Sequence, residues 1–162
     1  MGEASTPKAT VVVPVYNSAS SIQRCLDSLL AQSERSIQVV CVNDGSADDS
    51  LRVLRQIAQT DDRVLVIDQK NAGVSCARNA GIDAAGGEVV FFVDADDYID
   101  AQTVERVLQA MGSSDAEVAV FGGACEPADA APKRVQQLMS PNADTFGTRD
   151  PQLLFHANAQ PY

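Results

Sequence analysis

The chain has 162 residues, of which 45% are hydrophobic and 21% are charged, as in one globular domain or a piece of a larger one. Acidic residues outnumber basic ones by 22 to 12, giving a formal charge of -10, so we expect neither nucleic acid nor an anionic membrane surface as a partner. No apolar run is long enough to span a membrane and the first eight residues lack a signal-peptide core, so we expect a cytoplasmic location.

Strand and helix patterns alternate along most of the chain. Short apolar, often β-branched runs are separated by segments with apolar residues at helical spacing. This alternation predicts an α/β fold, a doubly wound, mostly parallel sheet flanked by helices. In chain order we predict strand 10–15, a helix over 22–30 capped by Ser18 or Ser20, strand 37–42, a turn at 43–46, helix 48–60, strand 63–67, a loop at 71–73, helix 74–85, strand 88–93, a helix from Asp100, and strand 117–121.

The regular pattern ends near Gly123. Beyond it, residues 124–150 are rich in Ala, Pro, Asp and Ser, and only 151–156 predicts a further helical turn. We therefore divide the chain into an N-terminal tail (1–9), an α/β domain (10–123) and an irregular segment (124–162).

Cysteine and histidine usage argues against several kinds of catalytic site. The cysteines are widely spaced with no CxxC pair, which favours core thiols in a reducing compartment over disulfides or a zinc site. The single histidine, His156, lies in a segment with no nucleophile motif, and neither GxxxxGK[ST] nor GxGxxG occurs. Any chemistry is therefore expected to run on carboxylates. The four cysteines are Cys25, Cys41, Cys76 and Cys125.

Polar segments follow four of the predicted strands at their carboxyl ends. In an open α/β sheet the ligand crevice lies outside these ends, so the four segments converge on one edge. Each also has an ordinary structural explanation, as a turn, a helix entry or a solvated helix cap. The segments are Tyr16-Asn17, Asp44-Gly45-Ser46, the loop 71–79 and Asp94-Ala95-Asp96-Asp97.

The acidic segment favours a divalent cation. Asp94, Asp96 and Asp97 repel one another unless a cation or a donor network offsets their charge. Mg²⁺ or Mn²⁺ held by one or two carboxylates and substrate phosphates is a recurrent solution, although the tetrad by itself fits a helix cap equally well. An EF-hand is excluded because Ile99 stands where that loop needs glycine. A phosphoryl-transfer aspartate of the haloacid-dehalogenase kind stays open, although Asp97 stands where that site has Thr or Val.

Four motifs in this order resemble the inverting glycosyltransferases of family 2, whose nucleotide-sugar half has the GT-A fold. The match spans residues 10 to about 122, and each motif falls at a predicted strand end. The resemblance implies a GT-A, Rossmann-like sheet and a donor-binding domain that passes a sugar from a nucleoside diphosphate to a glycan, cell-surface polysaccharide or lipid-linked acceptor, with inversion. The motifs are VVVPVYN at 11–17, VNDGS at 42–46, NAGVSCARNAGI at 71–82 and FVDADDYI at 92–99.

The resemblance also implies how a nucleotide would be held. Pro14 and Tyr16 would lie against the base, and Asn17 would shape the same pocket. Asp44 would accept a hydrogen bond from the imide nitrogen of uracil or thymine, which favours a UDP-linked donor. Gly73 would let the backbone approach the nucleotide closely.

The same resemblance assigns the charged residues. Arg78 would line the pocket wall or bind the diphosphate, or equally act as a structural clamp. Asp94 and Asp96 match the family's DxD motif, which makes them the expected catalytic, metal-binding acids. Asp94 would face the ribose or a metal-bound water, and Asp96 would ligate the Mn²⁺ or Mg²⁺ that bridges the diphosphate.

The catalytic base is the main departure from a complete enzyme. In the family, an Asp or Glu beyond the nucleotide half deprotonates the acceptor, and the later acids here lie in no recognisable base motif. We therefore expect a truncated piece that lacks the acceptor-binding half, from a protein whose full length is compatible with peripheral membrane association. The alternative is a non-catalytic nucleotide-binding or interaction module of the same fold. The later acids are Glu126, Asp129, Asp144 and Asp150.

Overall fold

The computed structural model describes residues 6–114 and 116–120. Strands and helices alternate along these residues, which confirms the predicted α/β fold. The elements are β1 (Ala9–Val15), α1 (Ile22–Leu30), β2 (Ile37–Asp44), α2 (Ser50–Ala58), β3 (Val64–Gln69), α3 (Val74–Asp83), β4 (Val89–Phe92) and α4 (Thr103–Gly112).

The four strands form one sheet in the order β3-β2-β1-β4, and every neighbouring pair is parallel. Strand β1 is central, and all of its residues except Pro14 are buried. The consecutive valines 11–13 suit this position because a strand covered on both faces needs apolar side chains on each. The carboxyl ends of all four strands therefore meet at one edge of the sheet.

Helix α3 packs against β1 and β2, whereas α2 packs against β3 and β2 and also contacts α1. Ala77 of α3 lies in a buried cluster with Val40 and Val42. The side chains of Asn43 and Asp68 point to the other face, where Arg55 of α2 reaches Asp68. Because side chains alternate along a strand, these contacts show that helices cover the sheet on both faces.

The contact between α3 and β1 depends on a missing side chain. A Cβ at Gly81 would lie 2.2 Å from Cγ1 of Val12, whereas a Cβ at Gly112 of α4 would meet nothing within 4 Å. Both Gly→Ala changes raise helix propensity, so the difference between their free energies of unfolding measures the cost of the clash at position 81. We expect Gly81→Ala to be less stable than Gly112→Ala by about 1–3 kcal/mol in urea unfolding. Equal stability would contradict this account of the interface.

Helix α1 occupies the predicted residues 22–30, but its cap and the start of α4 differ from the sequence predictions. Helix α1 is preceded by Ser21 as N-cap rather than by Ser18 or Ser20, because the Ser18 carbonyl accepts from the Ser21 and Ile22 amides and closes a turn first. The predicted cap residues are therefore wrong. Helix α4 begins at Thr103 rather than at 100, because residue 100 uses its side chain and carbonyl to close the preceding turn.

The end of β2 also differs from prediction. Asn43 and Asp44 are its last two residues, paired in register with Asp68 and Gln69 of β3, rather than part of a turn. Turn-forming residue types were overridden here because the neighbouring strand supplies backbone partners and buries both side chains. Asp44 is thereby a strand residue, held more rigidly than a turn residue would be.

The cysteine interpretation holds in part. Cys25 and Cys41 are buried as predicted, but Cys76 is exposed, so its assignment to the core is wrong. The reason is helical geometry: Ala77 and Gly81 turn toward the sheet, which leaves the preceding position facing solvent. Cys125 lies outside the described residues.

The chain divides into two units, residues 1–108 and residues 109–162. In the second unit, residues 117–120 do not form the predicted strand, and Val118 and Val120 are 60% and 67% exposed. That prediction is wrong over these residues because alternating apolar side chains make a strand only where a neighbouring strand takes up the backbone hydrogen bonds. Phe121, the segment 124–162 with its predicted turn, and His156 lie outside the described residues. Across the described helices, none has both the length and the apolar character that crossing a bilayer requires.

Candidate functional site

The segment that follows β1 is tied to the segment that follows β2. Asn17 has a φ of 49°, in the left-handed region that asparagine tolerates better than most residues. Its amide donates to Oγ of Ser46 at 3.0 Å, and its Oδ1 accepts from the Ala47 amide at 2.8 Å. Tyr16 beside it is 54% exposed. These hydrogen bonds therefore fix a segment that presents an aromatic ring to solvent at the edge of the sheet.

A second set of contacts joins the same two segments. Asp48 accepts from the Ala19 amide at 3.0 Å, and Oγ of Ser50 accepts from the Ser18 amide at 2.8 Å. The Ser50 hydroxyl in turn donates to Asp48 at 2.5 Å and, as the largest cause, lowers the pKa of that carboxyl. Together with Asn17 these contacts fix the entry to α1 against the entry to α2.

Asp44 organises the loop before α3. Its carboxylate is 3% exposed and accepts three hydrogen bonds, from Nε2 of Gln69 at 2.7 Å, the Ala72 amide at 2.9 Å and the Gly73 amide at 2.8 Å. Burial alone would raise the pKa of Asp44, but the hydrogen bonds outweigh burial and lower it. The group is thus ionised and already holds three internal donors, leaving at most one acceptor position for a ligand.

Glycine is required twice at this edge. Gly73 has a φ of 88°, and a Cβ there would meet nothing within 4 Å, so the backbone conformation rather than space demands glycine. Gly45 has a φ of 70°, and its Cβ would lie 2.7 Å from the Asn71 backbone nitrogen. The loops after β2 and β3 therefore touch through their main chains.

The lowered pKa of Asp44 predicts an acid-dependent loss of stability. A carboxyl with a lowered folded-state pKa stabilises the fold above its ordinary value of 3.8, and this contribution is lost as the pH falls through the lower folded-state pKa. We expect Asp44→Asn to lower the free energy of unfolding by about 1–3 kcal/mol at neutral pH. The difference from the unmodified chain should disappear once the pH is below the folded-state pKa of Asp44. Urea unfolding across pH measures it, with exposed Asp62→Asn as control. A gap that stayed constant with pH would contradict the assignment.

Arg78 and Asp94 form an ion pair between α3 and the segment after β4. Nη2 of Arg78 lies 2.7 Å from Oδ1 of Asp94, and the side chains are 29% and 36% exposed. Nε of Arg78 is buried with no hydrogen-bond partner among the described residues. The geometry favours the clamp interpretation of Arg78, because the guanidinium directs a carboxylate of the acidic motif.

The two following acids remain at the surface. Asp96 and Asp97 are exposed, in contrast to the partly buried Asp94. Partial loss of hydration, and then the charges of Asp96 and Asp94, raise the pKa of the Asp97 carboxyl. Within the part of the chain that the structure describes, no group of three or more His, Cys, Asp or Glu side chains forms a ready metal cage. The segment is thus a concentration of negative charge with hard oxygen donors.

The predicted residues fall into two neighbouring groups at one edge. Tyr16, Asn17, Asp44 and Gly73 surround the ends of β1 to β3, and Pro14 lies partly buried just before the end of β1. The second group consists of Arg78 with the acids after β4. Sequence reasoning missed Gln69 as a partner of Asp44 and the residues of α1 that contact the acidic segment. No local pattern marks these residues, since their partners lie 25 to 72 positions away.

A parallel α/β domain with polar loops and paired acids at its carboxyl edge defines a Rossmann-like ligand-binding class. The sequence profile of "Glycosyl transferase family 2" matches residues 10–159. The chain belongs to that family.

Three relatives illustrate the likeness. Glycosyltransferase GlyA of Streptococcus pneumoniae serotype 4 is 42% identical over 113 residues, which make up 70% of this chain and 16% of GlyA. Residues 1–349 of TarS from S. aureus, solved in complex with UDP-GlcNAc, superpose with a TM-score of 0.66 at 30% identity, covering 71% of this chain and 34% of that one. Mannosyltransferase PcManGT from Pyrobaculum calidifontis, solved with GDP-Man and Mn²⁺, gives 0.63 at 25%, covering 76% and 37%.

The structural likeness confirms the expected GT-A, Rossmann-like sheet. The chain spans well under half the length of each of these three relatives. The match therefore covers the part of those proteins that corresponds to this α/β domain.

Proposed function

We propose that this chain is the donor-binding part of a glycosyltransferase that uses a nucleoside-diphosphate sugar, with UDP as the favoured nucleotide. The observation that carries the proposal is the acidic segment after β4, where Asp94 is held by Arg78 while Asp96 stays exposed at the ligand edge. Asp94, which is held by an arginine, and Asp96, which is exposed beside it, suit the binding of a diphosphate and its cation better than the capping of a helix.

The donor set fits Mn²⁺ or Mg²⁺. Both cations prefer oxygen ligands, and Mg²⁺ is commonly bound by one or two carboxylates with substrate phosphates completing its coordination. The spacing supports the fit, because Asp94, Asp96 and Asp97 place three carboxylates within four consecutive positions. We propose Asp96 as the principal ligand and Asp94 as its partner. When bound, the cation would stabilise the negative charge that develops on the leaving diphosphate.

The residues around the ends of β1 and β2 would hold the base. Tyr16 offers an exposed ring for stacking, and Asn17 fixes the backbone beside it. Asp44 has one acceptor position left for the imide N–H of uracil, and its main task is to hold the Ala72 and Gly73 amides in place. Pro14 would complete the wall of this pocket.

We further propose that transfer proceeds with inversion to a glycan, polysaccharide or lipid-linked acceptor hydroxyl. Inversion needs a general base that deprotonates this hydroxyl. We assign that role to none of the described residues at this edge. Arg78 and the acids bind and orient the donor, and the exposed edge leaves room for an acceptor approaching from solvent.

Thermal unfolding tests the donor-binding proposal. We expect UDP and Mn²⁺ together to raise the Tm more than the sum of their separate effects, because a ligand that binds the folded state stabilises it according to its affinity. GDP and CMP under the same conditions serve as nucleotide controls. If UDP with Mn²⁺ raises the Tm no more than Mn²⁺ alone, the donor-site proposal fails and the non-catalytic interaction module becomes the better reading.

A further inference from the structure

The acidic loop between β4 and α4, residues 93–102, is attached to one side of helix α1. Gln32, just beyond the end of α1, has no solvent exposure. Its Nε2 donates to the Asp100 carbonyl at 2.7 Å, and its Oε1 accepts from the Val104 amide at 3.0 Å. The first backbone N–H groups of a helix lack partners within that helix. The buried side-chain amide of Gln32 therefore holds the end of the loop and also supplies an acceptor to the first turn of α4.

Two smaller side chains of α1 continue this attachment. Oγ of Ser28 accepts from the Ile99 amide at 3.2 Å, and the Cys25 thiol donates to the Asp94 carbonyl at 3.6 Å. Cys25 has no solvent exposure, and its contact reaches the main chain of the acidic loop.

Arg24 makes the outermost contact. Its Nη2 lies 3.4 Å from the Asp96 carbonyl, and its guanidinium carbon lies 4.4 Å from the centre of the Tyr98 ring. This cation–π contact is at the surface, where such contacts are modest in strength. Arg24 and Ser28 lie four residues apart on one side of α1, and Gln32 follows at the same spacing just beyond the end of the helix.

These contacts share one feature. Each reaches the main chain of the acidic loop, the first turn of α4 or the Tyr98 ring. Among the described residues, no hydrogen bond from α1 or from Gln32 goes to a carboxylate of Asp94 or Asp96. The Asp94 carboxylate is instead paired with Arg78 of α3. On this side the loop is thus anchored by its backbone, and the carboxylates of Asp94 and Asp96 are left for other partners.

We propose that Arg24, Cys25, Ser28 and Gln32, which we call the α1 seam, are positioning residues for the acidic loop. By holding the main chain of the loop, the seam sets the direction in which Asp94 and Asp96 present their carboxylates to a diphosphate and its cation. The inference rests on the proposed donor-binding function and deepens it, because it assigns the orientation of the acidic loop to a helix that carries none of the family motifs.

The test uses Arg24→Ala in the whole chain, since Arg24 is exposed and its loss leaves the core intact. Arg52→Ala on α2 is the matched control, because Arg52 is also exposed and pairs with Asp49 away from the loop. We expect amide hydrogen exchange in residues 93–102 to be about 3- to 10-fold faster in Arg24→Ala only. We expect the gain in UDP affinity on adding Mn²⁺ to fall about 3- to 10-fold, with metal-free UDP binding unchanged. Arg24→Lys, which keeps a cation over Tyr98, should restore most of both.

Gln32→Leu, similar in size but without hydrogen bonds, should raise loop exchange further. Exchange in Arg24→Ala equal to that in Arg52→Ala would overturn the inference, and so would faster exchange with an unchanged Mn²⁺ effect, which is the result for a purely structural contact. An unmodified chain that shows no Mn²⁺-dependent UDP binding would instead overturn the proposed function. Loop exchange, measured without ligand, would still decide whether the seam anchors the loop, so the two failures are distinguishable.

Discussion

Replacing Asp96 by alanine is expected to remove the Mn²⁺-dependent part of UDP binding, a loss of about 100-fold in affinity at saturating metal. The Asp96 side chain is exposed, and its carboxylate accepts no hydrogen bond from the described residues, so stability and metal-free UDP binding should be unchanged. Calorimetric titration of UDP with Mn²⁺ and with a chelator measures both quantities.

The control for Asp96→Ala is Asp83→Ala. Asp83 is an exposed acid at the last residue of α3, so its removal changes the net charge equally but far along the helix from the ligand edge. Equal losses in the two variants would mean that the effect is one of overall charge. A loss of metal-free binding in Asp96→Ala would contradict the assignment of this residue to the cation.

Arg78→Ala is expected to weaken Mn²⁺-dependent UDP binding by about 10- to 100-fold, the range for losing a charge-assisted contact. The reason is that Asp94 loses the guanidinium that directs it, at 2.7 Å in the present arrangement. Arg55→Ala is the control, because it breaks a more exposed ion pair, to Asp68 at 3.2 Å. We expect little change there, as for most exposed pairs.

A double-mutant cycle separates the two interpretations of Arg78. If Arg78 acts by holding Asp94, then Arg78→Ala should have little further effect in an Asp94→Ala background, since residues that act through one contact are not additive. That is the outcome we predict. Fully additive losses would contradict the clamp and would assign Arg78 a separate contact with the diphosphate.

Much of the fold could be predicted because its causes are local. The valine run of β1 is apolar on both faces, a pattern typical of a parallel strand that is buried on both sides. The alternation of strands and helices then fixes the direction of the strands, and the direction places the polar segments at one edge. The presence of Asp94 and Asp96 at the ligand edge followed from the same reasoning.

The partners of those residues could not be predicted in the same way. Asp44 reaches amides 28 and 29 positions later, and Gln32 reaches a helix start 72 positions later. Such contacts depend on how the elements pack, and an isolated Gln or Cys on a helix carries no local signal of its distant partner. The predicted strand is absent over residues 117–120 for a related reason, since its hydrogen-bond partners are not specified by its own sequence.

The most direct test of the central claim is to locate Mn²⁺ by its anomalous scattering in a crystal of this chain grown with UDP and MnCl₂. The account predicts a Mn²⁺ peak beside the Asp96 carboxylate and the diphosphate, with the uracil next to Tyr16 and Asp44. A nucleotide bound at this edge with Mn²⁺ away from Asp96, or UDP bound elsewhere on the domain, would contradict it.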